Sequence, residues 1–294
     1  MNWAGEQLKK LFANKRREEL NMKRIIFILT TLFATICVSA QTNFKSSYNG
    51  FYLSGGVGLA GGKLDIENSS TSMQLHTQGE FGYIHIFSNG LGISVAVSAM
   101  NIPINIRYSD FSITENGLTD DEGDIYNLTT LYSNIQEKHT AWMIGLPIAL
   151  QYRYMFTPRS GLLLSIGATP MLPAAQKFSS LSGQTRTEAF YPEWDITLHD
   201  IDGKFGTSDI VPTTADEHIF RKFNLAAFAK LGFVFRLSEH FNLTTAFSYN
   251  QCVLNTLQNA NDGKSNVSIL ETLLSQEKYY PYSVDFNLGL EVCF

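Results

Sequence analysis

Along residues 281–294 apolar and polar side chains alternate one by one. Val284, Phe286, Leu288, Leu290, Val292 and Phe294 hold the even positions, against Asp285, Asn287, Gly289, Glu291 and Cys293 at the odd ones. A period of two sustained over this length places the two sets on opposite faces of a strand lying between unlike environments. The pattern recurs. In 141–156, Trp142, Ile144, Leu146, Ile148, Leu150, Tyr152, Tyr154 and Phe156 oppose Gly145, Pro147, Ala149, Gln151 and Arg153. In 222–237, Leu225, Ala227, Ala229, Leu231, Phe233, Phe235 and Leu237 alternate with Lys230, Gly232 and Arg236. Segment 73–87 sets Leu75, Phe81, Tyr83 and Phe87 against Gln74, Gln78 and Glu80, and weaker alternation covers 50–60, 91–104, 161–171 and 241–252. The total is eight predicted strands.

The links between them alternate in length. Strands 2 and 3 are joined by Ser88-Asn89-Gly90, 4 and 5 by Thr157-Pro158-Arg159-Ser160, and 6 and 7 by Ser238-Glu239-His240. The other links, 61–73, 105–139, 172–221 and 253–280, are 13, 35, 50 and 28 residues long. In an up-and-down barrel this puts every tight turn at one end and every long loop at the other, the asymmetry of outer-membrane barrels. Phe87, Tyr152, Tyr154, Phe156, Phe235, Phe241 and Phe294 fall at short-turn ends, and Trp142 and Tyr282 at long-loop ends, as two interfacial girdles require. A soluble lipocalin-like barrel turns its apolar side chains inward. The bulk of the apolar set decides against it, because a narrow eight-stranded interior suits Gly, Ala, Ser, Gln and paired charges better. The predicted fold is an all-β, eight-stranded antiparallel up-and-down transmembrane β-barrel with short periplasmic turns and long extracellular loops.

Composition agrees. Only 17% of side chains are charged and 13% are aromatic, which argues against disorder and coiled coil. Lys23 and Arg24, the apolar run Ile25–Ile36 and Val38-Ser39-Ala40 read as a cleavable signal peptide. Ile36 stands where a lipobox before Cys37 requires a small residue, so a lipoprotein signal is rejected. Residues 1–40 are thus a basic extension, with translation expected to start at Met22, plus the signal; 41–294 form the barrel domain. Removing seven basic and three acidic residues leaves 15 basic and 24 acidic groups, a net charge of −9. An acidic exported chain is not a nucleic-acid binder.

The signal peptide, the eight amphipathic strands, the alternating links and the terminal Phe294 resemble the outer-membrane protein β-barrel domain family of Gram-negative bacteria. The segment Gly145-Leu146-Pro147-Ile148-Ala149-Leu150-Gln151-Tyr152-Arg153-Tyr154 is similar to the central strand of PorT-like members. The resemblance implies recognition by the barrel-assembly machinery through Phe286, Leu288, Leu290, Val292 and Phe294. Val292 departs from the aromatic residue common at that position. It also implies contact with outer-membrane lipid and lipopolysaccharide.

Candidate chemistry is sparse. Asp120, Asp121, Glu122 and Asp124, and then Asp195, Asp200, Asp202 and Asp209, are oxygen-rich. Lys204 stands where a calcium loop needs a ligand, so they read as solvated loop charge. His199, Asp200, Asp209 and His218 share the longest link without any nucleophile signature. Gly55-Gly56-Val57-Gly58 and Gly61-Gly62 lack the Gly-Lys-Ser/Thr of a phosphate loop and suit a crowded barrel wall. No cofactor, metal or catalytic residue is assigned. The inward charges are Glu80, Arg153, Lys230, Arg236, Asp285 and Glu291, with Glu80–Lys230 and Arg236–Glu291 as the expected pairs of a lumen-filling network. The predicted role is non-enzymatic: surface interaction or envelope and assembly support through the long loops. The alternatives are a solute pore, if the barrel has ten or more strands, and a membrane enzyme with a loop-borne site.

Cys252 ends the seventh strand on the loop side and Cys293 ends the eighth on the turn side. About ten strand residues separate their levels, on the order of 25 Å and far beyond disulfide reach. Without reductant, the denatured mature protein should take up two alkylating groups; a mass lower by two protons and no alkylation would overturn the strand directions.

Overall fold

The computed structural model describes residues 47–64, 69–199, 205–210, 214–216, 220–257 and 278–294. The signal peptide and upstream extension, together with Asp200, Asp202, Lys204 and His218, lie outside the described residues. The strands are β1 (Tyr48–Leu64), β2 (Ser69–Thr71), β3 (Gln74–Ile86), β4 (Leu91–Tyr108), β5 (Phe111–Thr119), β6 (Ile125–Gly145) and β7 (Ile148–Met155). They continue as β8 (Ser160–Tyr191), β9 (Ile196–Leu198), β10 (Thr207–Asp209), β11 (Thr214–Asp216), β12 (Asn224–Arg236), β13 (Phe241–Cys252) and β14 (Tyr279–Cys293).

Eight wall positions close into a ring, every pair antiparallel. β1 pairs β3, β3 pairs β4, and β4 pairs β6 above and β7 below. Both of these pair β8, which leads through β12 and β13 to β14 and back to β1. β6 and β7 are one predicted strand, interrupted at Leu146-Pro147, where proline has no N–H to give. The ladder is kept by Leu146 donating to Pro170 O (2.9 Å) and Ala96 donating to Pro147 O (3.0 Å). Following Cα partners from Phe51 through Tyr83, Val95, Ile148, Ala168, Ala227, Gln251 and Tyr282 returns to β1 at Gly61, a stagger of ten residues. For eight strands this stagger corresponds to a tilt of roughly 40° and an interior that side chains can fill. Closure leaves no open edge in the wall, which is what a hydrocarbon surrounding demands of the backbone.

The faces follow the alternation. Val284, Phe286, Leu288, Leu290, Val292 and Phe294 are all exposed, as are Leu53, Phe81, Val97, Ile144, Leu150, Leu231 and Phe247. Phe51 packs on Phe81, Tyr83 and Phe294 near the turn end, with ring centroids 5.7–6.2 Å apart. Trp142, Tyr249 and Tyr282 lie toward the other end. Tyr152 keeps the outward phase of Leu150 and Tyr154 but is only 1% exposed, flanked by its Cα partners Leu91 and Leu164.

The links 105–139 and 172–221, predicted as loops, are largely strand. β4 runs on to Tyr108, and β6 pairs β8 from Gly145–Met171 outward to Asn127–Phe190. β8 has 32 residues, whereas about 9–11 suffice to cross a bilayer. The excess rises as a sheet beyond the barrel, flanked by β5 on one side and by β9, β10 and β11 on the other. Strand character persists because alternation persists with its chemistry exchanged. On β4 the outward residues change from Ile93, Val95 and Val97 to Asn101, Pro103 and Arg107, while the inward ones change from Ser94 and Ser98 to Met100, Ile102, Ile104 and Ile106. Above the lipid band, water lies outside and the apolar residues turn in. They form one cluster with Ala141, Met143, Met171, Ala226, Cys252 and Tyr279, under Phe220 and Leu257, whose segments bridge over the mouth. The inward face at this end is therefore mainly apolar, with the close pair Glu137 and His139 (3.3 Å) buried beside it, where the sequence pattern pointed to small residues, amides and charges.

The start of β1 and the end of β14 meet at the short-turn end, where Asn49 and Phe294 exchange backbone hydrogen bonds of 3.1 and 2.9 Å. Cys252 and Cys293 are free thiols on opposite ends of the wall. With the short turns in the periplasm, protease added to intact cells should cut first within 172–221. Primary cleavage at Thr157–Ser160 or Ser238–His240 would reverse this orientation.

Candidate functional site: the charged lumen

Inward-facing side chains below the apolar cluster form the polar heart of the molecule. Arg153 on β7 reaches across to Glu291 on β14 and binds it through both nitrogens, at 3.0 and 2.7 Å. Its Nη1 also donates to the Tyr48 hydroxyl on β1 at 2.6 Å. Both partners are almost fully buried. Lys230 on β12 donates to both carboxylate oxygens of Glu80 on β3, each at 2.8 Å. In the ring of eight, β7 and β14 are four places apart, and so are β3 and β12. Each ion pair is thus a strut across a diameter, and the two diameters are a quarter-turn apart. The Arg153 strut lies nearer the turns.

Arg236 does not take Glu291 as anticipated. The Glu291 carboxylate is filled by Arg153, by Asn242 Nδ2 at 3.1 Å and by Cys293 Sγ at 3.3 Å. Asn242 is also the Cα partner of both Arg236 and Glu291, so it stands between them, and Arg236 sits half-buried at the last position of β12. A pairing argument based on level alone misses this, because it ignores which residue occupies the intervening strand.

Asp285 sits higher, where its Oδ2 accepts from Ser283 and Asn250 (2.8 Å each) and from Ser248 (3.5 Å). His76 approaches its other oxygen at 3.6 Å and bonds the Asn101 carbonyl with its Nδ1. Gln78 donates to Asn287 at 2.7 Å, and Asn287 donates to Ser248 at 2.8 Å. His76 was not among the predicted residues, yet the signal was present: it shares the even phase of Gln78 and Glu80. The glycines of β1 make room for these groups. A Cβ on Gly56 would lie 2.3 Å from Asn287 Oδ1, one on Gly58 2.5 Å from Asp285 Oδ1, and one on Gly62 2.3 Å from the Tyr279 ring. Their role is close approach within a wall, as the absence of a phosphate-loop lysine suggested. Between the struts a cavity of about 50 Å³ is lined by residues of all eight wall positions, among them Tyr52, Ser94, Gln151, Ser165 and Thr244. That is room for a few water molecules.

Of the loop carboxylates, Asp120 has a structural task at the β5–β6 tip. Its Oδ1 accepts from the backbone N–H of Asp124 and Glu122 (2.9 and 3.0 Å) and its Oδ2 from the Tyr191 hydroxyl (3.1 Å). The Asp124 N–H leads the interactions that hold its carboxyl below the usual range. Asp209 Oδ1 accepts from Gln184 at 2.9 Å.

No family model matches the chain, and no curated protein matches it. Among solved structures it is similar to the outer membrane protein OprG from Pseudomonas aeruginosa, at 11% identity and a TM-score of 0.39, over 87% of this chain and 99% of that one. Neisserial surface protein A gives 10% identity and 0.33, over 83% and 97%. The outer membrane protease OmpT from Escherichia coli gives 8% and 0.36, over 88% and 100%. These scores are low, and the architecture rests on the strand pairing. A closed eight-stranded ring, apolar outside along one band and polar within it, is an outer-membrane barrel.

Removing one partner of a buried ion pair strands the other charge and costs about 3–5 kcal/mol, whereas removing both costs less. Arg153→Met should therefore lower the melting temperature of the detergent-folded barrel sharply, and adding Glu291→Gln should recover part of the loss. Lys230→Met with Glu80→Gln should behave alike. Simple additivity in either double variant would remove that strut.

Proposed function

We propose that this chain is a non-enzymatic outer-membrane anchor whose barrel holds an extracellular β-sheet for contact with macromolecules at the cell surface or for support of an envelope assembly. The observation that carries this reading is the continuation of β6 and β8 as a paired sheet far beyond the lipid band. An element of this length, rooted directly in the wall, transmits position rigidly, as a tethered loop does not. The sealed lumen supports the same reading: two cross-struts and an apolar cap occupy the space a solute would need. So does the likeness of residues 145–154 to PorT-like strands.

In this reading the exposed stripe Phe286, Leu288, Leu290, Val292 and Phe294 is the surface offered to the barrel-assembly machinery during insertion. Lipid covers it afterwards.

The test is electrical. Mature protein inserted in planar bilayers should show no discrete conductance steps, while the variant carrying Arg153→Met and Lys230→Met should leak. Stable unit conductance from the unaltered protein would replace the anchor by a pore.

A further inference from the structure

The far end of the extracellular sheet joins an aromatic platform to the molecule's excess of acid. Tyr191, the last residue of β8, stacks on Tyr126 of β6 with ring centroids 5.4 Å apart, and Trp194 stacks on Tyr191 at 5.5 Å. Phe205 meets Tyr126 edge-on at 6.3 Å. Ile196 is the Cα partner of Tyr191 and so extends the same face. The outer end of this row is open: Trp194 is 50% exposed and Ile196 48%. Asp120 fixes the row in place. One of its oxygens holds the β5–β6 turn through the Asp124 and Glu122 N–H groups, and the other accepts from the Tyr191 hydroxyl. Two neighbouring turns are thereby tied into one surface, on the order of 40 Å above Trp142 along the tilted strands.

The charge is just as localised. In sequence, 111–126 and 186–209 carry 11 Asp and Glu against Arg186 and Lys204, whereas the rest of the mature chain has 13 acids and 13 bases. The whole net charge of −9 therefore belongs to these two segments. Arg186 is taken by Glu188 at 3.2 Å. Glu193 and Asp195 flank Trp194, and Asp121 and Glu122 lie in the turn tied to Tyr191. All four are exposed, and among the described residues no cation pairs with them. An exposed apolar patch rimmed by polar residues marks a contact surface, and here the rim specifies the partner. A divalent cation would use the carboxylates and leave Trp194 idle. A neutral polysaccharide would stack on Trp194 and leave the charge uncompensated. Arginine uses both, because its guanidinium lies flat on an indole and forks to carboxylates. We propose that Trp194, seated on Tyr191 and Tyr126 and ringed by Asp121, Glu122, Glu193 and Asp195, is a docking surface for an arginine-bearing basic segment of a partner protein outside the cell. The proposal rests on the anchor reading and names the class of partner its sheet receives. The leaflet does not compete for the surface, since its phosphates carry the same sign and lie several screening lengths below.

The experiment is titration of the mature barrel, in an uncharged detergent, with nona-arginine, calcium ions or cellohexaose as probes. Trp142→Phe leaves Trp194 as the one tryptophan of the mature chain, and its emission should change saturably with nona-arginine and less so as salt is raised. Calorimetry then compares variants. Trp194→Ala should weaken nona-arginine binding severalfold. Replacing Asp121, Glu122, Glu193 and Asp195 by their amides should weaken it by on the order of tenfold. Affinity unchanged by Trp194→Ala overturns the platform, and affinity unchanged by the four amides overturns the acidic rim. Saturation by calcium or cellohexaose in place of nona-arginine overturns the class of partner. Heat-modifiable migration on gels confirms that each variant is folded. A folded, non-conducting barrel that ignores nona-arginine overturns the docking surface and leaves the anchor standing, whereas stable unit conductance strikes the anchor reading itself.

Discussion

Closure of the sheet is the constraint on which everything else depends. In hydrocarbon an unpaired backbone N–H or C=O has no water to turn to, so β14 must find β1, and a ring of eight must hold its ten-residue stagger without a free edge. Closure in turn creates a narrow interior that cannot be left empty and cannot be fully wetted. The molecule fills it differently at different heights. Near the turns it uses two ion pairs across perpendicular diameters, and at the other end it uses methionine, isoleucine and tyrosine packed as in a soluble core.

Arg153 links these requirements. Its guanidinium holds Glu291 on the last strand and Tyr48 on the first, the two strands that must meet to close the ring. A planar fork with several fixed donors can satisfy both at once, which a lysine ammonium cannot do with the same geometry. Burial of such a pair gives little net stability when compared with a well-packed apolar pair, but it selects one arrangement of the opposite walls over others. Higher in the wall, the β1 glycines Gly56, Gly58 and Gly62 serve the same narrow interior, since a side chain there would collide with Asn287, Asp285 or Tyr279.

Beyond the band the chain has to solve the opposite problem. Water now lies outside, so the outward residues of β4 become Asn101, Pro103 and Arg107, and the inward residues become apolar. The strands need not stop at the membrane surface, because each face simply exchanges its chemistry. β6 and β8 thereby remain one ladder from lipid to solvent, and Asp120 closes the tip of the β5–β6 hairpin by collecting backbone donors. A sheet of this kind joins surface to barrel stiffly.

The sequence alone determined the eight wall positions, the tight turns, the outward stripe from Phe286 to Phe294 and the Glu80–Lys230 pair. All of these follow from a period of two and from the level of each residue within its strand. It did not disclose the extent of the extracellular sheet, because a search for apolar-out, polar-in alternation ends where the chemistry of the faces inverts, although the period does not. Nor did it separate Arg153 from Arg236 as the partner of Glu291. That choice depends on which side chain faces Glu291 across the lumen and on Asn242 standing between Arg236 and its presumed acid. Periodicity and strand level are properties of a chain read locally, whereas the partner of a buried charge is set by the ring's stagger and by the opposite wall, which exist only once the barrel has closed.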